Sequence, residues 1–501
     1  GWISQSFSTR PELAYVHCDG LNVIDVYEKS KAAERYARQR KKPVFLHMRT
    51  VRLMGHAGSD VETNYHSLDY VENTERQDPL LHTAKIVLEH KLLSSKDILD
   101  LYKVTREKIK AISEEAVTRK PLSKISDVAS TITSCENKKA QPPLPKEESR
   151  EKTFHREWKK LKAPQHMAKL INWGLTDIML QYPNTLVFGE DVAEKGGVYH
   201  VTDNLVKRFG PRRVFNSPLD EQSIIGTGLG LAHNNFLPIP EIQFLAYVHN
   251  AEDQIRGEAA TLAFFSKGQF TNPMVLRIAG LAYQKGFGGH FHNDNSLAVF
   301  RDIPGLIIAV PSNGADAVKM MRTCVQEAHE NGRVCVFIEP IALYMTRDLH
   351  EENDKLWTFD YPEPDKISPL GEFSSYGESD KVILTYGNGT YLSLQAQKIL
   401  KEQHNINTKI IDLKWIAPLK KEELRRSLEG SSHILFVEEC RVTGSFAEGV
   451  VSDLVQSLQN IPKIKIHGAE DCFIPLGPAA TAGLPSKESI VKAFVNLAGE
   501  S

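Results

Sequence analysis

Short apolar runs bounded by polar or turn residues alternate with helix-period stretches along most of the chain. That alternation predicts an α/β architecture built on open, mainly parallel sheets. Near the N-terminus, strand signals over 15–20 and 43–48 flank an amphipathic helix over 26–40, and a polar-faced helical pattern follows over 78–116. The opening residues show no helix or strand start of their own. After residue 164 the alternation is stronger. A helix is expected over 167–180, strands over 185–188, 272–277, 306–310 and 334–338, and a helix over 314–329. A Pro- and Asp-rich boundary over 361–369 precedes strands over 381–385, 408–412 and 433–437 and helices over 390–403 and 447–458.

The stretch 119–164 breaks this pattern. Ser, Thr and Pro accumulate, and between Lys146 and Lys162 there are seven basic and four acidic side chains with little apolar periodicity. It reads as a solvated, semi-rigid tether, or alternatively as a docking segment for a partner. At roughly 100–200 residues per domain, 501 residues suggest about three domains. Lys+Arg is 61 and Asp+Glu is 63, a formal charge of −2, with no basic block, which argues against nucleic-acid binding. No apolar run reaches transmembrane length. Six cysteines are scattered without a CxxC pair, which fits a reducing compartment better than a disulfide framework or a structural zinc site.

No self-contained catalytic signature stands out. Polar clusters do lie at strand exits, where open α/β sheets place their sites. Arg52-Leu-Met-Gly-His56-Ala-Gly-Ser59-Asp60 pairs a guanidinium able to grip an anion with an imidazole beside it; such a loop can also be purely structural. Glu190 and Asp191 follow a strand, as a site carboxylate or as helix caps. Glu221 stands ahead of an apolar, Gly-rich helix that must pack closely. The carboxylate would then be drawn into low-dielectric surroundings and could share a proton with a ligand nitrogen. The alternative is a carboxylate that only favours the helix dipole. Gln243 and Tyr247 place an amide and a phenol at another strand exit. His290 and His292 on a Gly-rich loop suit acid–base or substrate contact, or metal ligation, though no third ligand has obvious spacing.

Taken in order, these residues resemble the thiamine-diphosphate-dependent 2-oxoacid dehydrogenases, the decarboxylating first component of the pyruvate and branched-chain complexes. Phe188-Gly-Glu-Asp-Val192, Val214-Phe-Asn-Ser-Pro-Leu-Asp-Glu221, Glu241-Ile-Gln-Phe244 and Ile303-Pro-Gly305 stand where the β subunit has its signatures, and Arg52 to Asp60 matches the α subunit. The resemblance implies an α–β fusion with transketolase-like open parallel sheets. Residues 1–118 would be the C-terminal part of an α-type diphosphate-binding domain and 119–164 a charged linker. Residues 165–360 would form a pyrimidine-binding domain and 370–501 a transketolase C-terminal-like domain. It also implies roles. Glu221 would hydrogen-bond the aminopyrimidine ring of thiamine diphosphate and promote loss of the thiazolium C2 proton. Glu190, Leu219, Gln243 and Tyr247 would surround that ring, and Arg52 and His56 would lie on the diphosphate side. His292 would serve in proton transfer or reductive acylation of a lipoyl group. Ser59 would lie on a loop phosphorylated in some relatives.

The family's Gly-Asp-Gly motif for Mg2+ is absent, and Asn234-Asn235 lies in the β-type part. Gly1-Trp2-Ile3-Ser4 resembles the residues just after the family's Asn pair. That makes the Trp2 carbonyl a backbone Mg2+ ligand and implies that the chain begins inside a longer protein. The implied activity is oxidative decarboxylation of a 2-oxoacid, branched-chain type favoured over pyruvate. The implied partners are a lipoyl-bearing acyltransferase core and a second copy of the chain, with no nucleic acid or membrane. The implied compartment is the bacterial cytoplasm or, alternatively, the mitochondrial matrix. Two other readings remain: a transketolase-like ketol transferase, and a catalytically incomplete chain that only assembles with its partners.

Overall fold

Strands and helices follow the order of the apolar runs. The computed structural model describes residues 1–283 and 289–499, in which Gly1–Pro121 and Leu122–Ser501 form separate compact units. In the first, β1 (Ala14–Asp19) and β2 (Val44–Arg49) pair in parallel, joined by the helix Val23–Arg40. Asn22 caps that helix by accepting from the amides of Ile24 and Asp25. Two features depart from expectation. Trp2–Phe7 is helical. The pattern over 78–116 is two helices, Pro79–Glu89 and Ser95–Val117, not one. Lys91 turns left-handed between them, with φ 51°, and Ser94 and Asp97 form a capping box that starts the second helix afresh.

The second unit carries β3 (Thr185–Gly189), β4 (Val214–Asn216), β5 (Leu237–Ile242), β6 (Met274–Gly280), β7 (Ile307–Ala309) and β8 (Val334–Pro340). Then come β9 (Ser374–Tyr376), β10 (Lys381–Thr385), β11 (Lys409–Asp412), β12 (Trp415–Ala417), β13 (His433–Arg441) and β14 (Lys463–Ala469). One sheet runs β12-β7-β8-β6-β5-β3-β4 and is parallel except for β12 at its edge. The other runs β14-β13-β10-β11-β9 and is parallel except for β9. β12 leaves the second sheet's stretch of sequence to join the first sheet, so the chain stitches the two domains together. β6 and β8 are buried throughout, as strands covered on both faces must be.

β5 contains two prolines, which sequence rules would keep out of an inner strand. The Leu237 amide donates to the Asn184 carbonyl, just ahead of β3. By alternation the amides of residues 237, 239 and 241 face β3, while Pro238 and Pro240 face β6. Pairing with β6 begins only at Glu241, so the missing donors break no ladder there.

The stretch read as a solvated tether is not solvated throughout. Glu147–Phe154 is helical, and Phe154 and Arg150 are buried. Arg150 donates to Asp177 through Nε at 2.8 Å and Nη2 at 3.0 Å. Glu157 accepts from Lys169 and Arg208 and, through Oε2, from Trp173 Nε1. Arg150 and Glu157 are thus partnered by the helix Met167–Gln181 and its neighbours, which composition could not show, while the other charges of the stretch are exposed.

The seam between the two sheets includes a polar cluster around Asp412. Asp412, at the end of β11, accepts from Ser312 Oγ at 2.8 Å, and its Oδ2 is buried without a partner. Lys414 donates to Asp316 and to Ser374, and its charge favours ionisation of Asp412, but burial dominates and pushes that carboxyl up to about 7. This lies above the ordinary value of 3.8. Stability from the group is therefore complete below about pH 4 and lost as pH rises to about 7, because only the folded chain keeps the proton in that window. Asp412→Asn is expected to gain on the wild type by on the order of 1 kcal/mol between about pH 6 and pH 8. Urea unfolding at both pH values checks this; a constant difference would show that Asp412 does not titrate there.

Candidate active site

The carboxyl ends of β3 and β5 are neighbours, and chain order reverses there: β3 is followed in space by β4 on one side and β5 on the other. Such a switch point opens a crevice at the strand ends. Glu190 leaves β3 into it. A Cβ on Gly189 would stand 2.5 Å from the Glu241 carbonyl oxygen, so only glycine lets these strand ends approach so closely. Gln243 leaves β5 half-buried, and the turn Leu245–Ala251 presents Tyr247 and Asn250.

Glu221 is the first residue of the helix Glu221–His233 and is only 5% exposed. The glycines of that helix explain the depth. A Cβ on Gly228 would stand 2.9 Å from Met274 Sδ in β6, so the helix lies closer to the sheet than a larger residue permits. Glu221 Oε2 accepts from Asn250 Nδ2 at 2.8 Å, and the helix N-terminus favours its charge. The Glu190 carboxyl is raised by burial and by the charges of Asp191 and Glu221. The Tyr247 phenol is raised by burial and by Glu190 and Glu221. These three groups thus share one crevice. Leu219 lies on the approach to it, 61% exposed.

His292 closes another side. Its ring packs against Phe244 at 5.1 Å and Tyr247 at 5.8 Å between centroids. His290 turns elsewhere, onto Phe473 at 4.4 Å. Gly286, Phe287 and Gly288 of the same glycine-rich cluster lie outside the described residues. The structure therefore brings Glu190, Glu221, Gln243, Tyr247 and His292 to the ends of β3 and β5, while Leu219 stands exposed two residues ahead of Glu221. Among the described residues no three His, Cys, Asp or Glu side chains converge as a metal site.

Arg52, His56 and Trp2 belong to the first unit. The loop carrying Arg52 and His56 is organised by Asp60, whose carboxylate accepts from the His56 amide at 2.6 Å and from Tyr65 Oη at 2.9 Å. Those bonds hold the Asp60 carboxyl below its ordinary value. Arg52, His56 and Ser59 are exposed. Trp2 opens the first helix with its side chain 72% exposed.

Sequence reasoning missed two supports of the site. Asn250, the partner of Glu221, carried no signal. Arg277, a lone charge inside an apolar strand run, was a visible signal left unread. It is 1% exposed on β6 and donates to Glu241 Oε2 at 2.6 Å and to both oxygens of Glu339 at 2.7 and 2.8 Å. Burial opposes its charge, but Glu339 and Glu241 keep it protonated. Tyr344 Oη donates to Glu339 Oε2 at 2.5 Å. This network fixes Glu241 and hence the exit that carries Gln243.

Known families match three segments of the chain. Residues 8–125 match the family described as dehydrogenase E1 component, 163–345 the transketolase pyrimidine-binding domain and 375–482 the transketolase C-terminal domain. The pyruvate dehydrogenase E1 component subunit beta of Bacillus subtilis is 31% identical over 319 residues, covering 62% of this chain and 91% of that one. The mitochondrial 2-oxoisovalerate dehydrogenase subunit beta 2 of Arabidopsis thaliana is 35% identical over 287 residues, covering 57% and 75%. A solved structure titled "Split gene transketolase, inactive beta4 tetramer" has TM-score 0.51 at 19% identity, covering 66% of this chain and 98% of that one, a likeness of fold. No described helix is long and apolar enough to cross a membrane. With dehydrogenase E1, pyrimidine-binding and C-terminal segments in one chain, and β-subunit relatives covered over 91% and 75% of their length, the protein belongs to the thiamine-diphosphate-dependent 2-oxoacid dehydrogenases, as a first component in which α-type and β-type parts are fused.

Proposed function

We propose that this chain oxidatively decarboxylates a branched-chain 2-oxoacid and passes the acyl group to a lipoyl group on a partner acyltransferase. The observation that carries the reading is the buried Glu221 at a helix N-terminus, held by Asn250 and sharing its crevice with Glu190, Tyr247 and His292. A buried carboxylate beside a phenol and a second carboxyl fits a basic, flat heterocycle, so the pyrimidine half of thiamine diphosphate suits these residues. Mg2+ finds no cluster of His, Cys, Asp or Glu ligands among the described residues, and the Trp2 carbonyl is the one metal ligand the resemblance assigns.

When bound, the cofactor supplies the electron sink that decarboxylation of a 2-oxoacid needs. The chain's own residues do the rest. Glu221 presents Oε1 for a hydrogen bond with a pyrimidine nitrogen, while Asn250 keeps Oε2 occupied. Glu190, raised by burial, adds a second carboxyl able to remain neutral beside it. Tyr247 and Gln243 orient the ring, Leu219 excludes water, and His292 moves a proton at the acyl end. Arg52 and His56 serve the diphosphate side. The net transfer balances: carbon dioxide leaves, the lipoyl S–S bond opens, one sulfur takes the acyl group and the other takes a proton. The preference for a branched-chain substrate rests on the Phe-Asn-Ser-Pro-Leu-x-Glu and Glu-Ile-Gln-Phe wording and the somewhat higher identity to the 2-oxoisovalerate relative. A second copy of the chain and a bacterial cytoplasm or mitochondrial matrix complete the reading, the latter supported by where the relatives come from.

With Mg2+, thiamine diphosphate and a dye acceptor, the intact protein is expected to turn over 2-oxoisovalerate faster than pyruvate. Sugar-phosphate transfer, or no cofactor binding by calorimetry, would refute the assignment. Glu221→Gln is expected to slow exchange of the bound cofactor's C2 proton, followed by NMR in deuterated water, by at least about a hundredfold while affinity falls modestly. Unchanged exchange would remove Glu221 from its role. His292→Ala is expected to lower acyl transfer to lipoamide more than dye-linked decarboxylation. Equal losses would contradict that division of labour.

A further inference from the structure

The residues on either side of His292 are fastened to one strand of the C-terminal domain. Ahead of it, the Ala282 amide donates to Glu439 Oε1 at 2.7 Å, and Glu439 Oε2 accepts from Asn388 Nδ2. Tyr283 Oη donates to the Pro485 carbonyl at 2.8 Å. Behind it, Asn295 Nδ2 donates to the Glu439 carbonyl at 2.6 Å, and Arg441 Nη1 donates to Asn295 Oδ1 at 2.9 Å. Arg441 Nη2 reaches Asp294 Oδ1 at 3.4 Å. Glu439 and Arg441 both belong to β13, so one strand reaches both flanks. Asp294 also meets His249 Nε2 at 3.3 Å, and the neighbouring Asn250 holds Glu221.

Glu439 is 2% exposed, and Asn295, Asp294 and Asn388 are buried. Burying so many polar groups is unfavourable unless each is bonded. An apolar contact would join the domains at less cost but would not fix a loop in one place. The short segment Gly289–Ser296 carries no apolar core of its own beyond its contact with Phe473 and its rings against Phe244 and Tyr247.

We infer that Glu439 and Arg441, on the C-terminal domain, are positioning residues that hold His292 for its work at the acyl group, so that this domain takes part in acyl transfer. The inference rests on the proposed role of His292. Arg441→Met and Glu439→Ala each remove one fastening, while Glu439→Gln keeps the acceptor for the Ala282 amide.

The test compares three readouts in the full chain with Mg2+ and thiamine diphosphate: lipoamide acylation, dye-linked decarboxylation, and amide hydrogen exchange over 289–296. Arg441→Met and Glu439→Ala are expected to lower acylation about tenfold or more and dye-linked turnover much less, since a small misplacement of a reacting group costs rate steeply. Exchange over 289–296 should rise, and Glu439→Gln should recover most of the acylation. Parallel loss of both activities, or faster exchange with acylation intact, would overturn the inference. His292→Ala separates the two levels. If that variant leaves acylation untouched, the reading of His292 fails. If it lowers acylation and Arg441→Met does not, the fastening fails alone.

Discussion

A carboxylate set beneath the first turn of a helix pressed onto a parallel sheet is the constraint on which the site depends. Removing Glu221 from water is costly, and little offsets it: the helix N-terminus and one amide donor, Asn250. Gly228, whose missing side chain leaves room for Met274 Sδ, lets the helix settle against the sheet. The second carboxyl, Glu190, is raised partly by Glu221 itself. A neighbouring acid thus disfavours the charged form of Glu190, which suits a site built to handle protons.

Much of this was legible because strand ends are where open α/β sheets collect function. Glu190, Gln243 and Tyr247 each follow a recognisable strand, and Glu221 precedes a helix whose glycines announce close packing. Arg277 was legible as an anomaly, a charge inside an apolar run, but its partners Glu241 and Glu339 sit on separate strands that only pairing brings together. Ala282 and Glu439 are 157 residues apart, and Asn295 and the Glu439 carbonyl 144 apart. No local period reports such pairs. Arg150 and Glu157 escaped notice for a related reason: composition counts charged side chains, and whether one is solvated depends on partners such as Asp177 that it cannot see.

The C-terminal domain meets the pyrimidine-binding domain through polar groups at several points. Ser312 donates to Asp412, Ala282 to Glu439, and Arg301 to the Gly444 carbonyl at 2.7 Å. β12 adds a strand from one stretch of sequence to the sheet of the other. Apolar surfaces attract without direction and tolerate sliding, whereas a buried hydrogen bond is lost when its partners shift by about an ångström. A seam of this kind fixes register. Its carboxyls at 412 and 439 are both pushed up to about 7 by burial, so near neutrality each can exist uncharged, which lowers the cost of enclosing them.

That arrangement has a consequence for how the chemistry is divided. The crevice that holds Glu221 is built from β3, β5 and the helix Glu221–His233, all within the pyrimidine-binding domain. The imidazole that faces it is not anchored there alone, because its flanks lie against β13. On the proposed roles, the groups assigned to the pyrimidine ring lie in one domain, while the imidazole assigned to proton transfer rests on two. A fold that needed only the first would gain stability by replacing the polar seam with apolar side chains. Keeping Glu439, Arg441 and Asn295 buried and mutually bonded makes physical sense when the geometry of His292 has to be the same on every turnover.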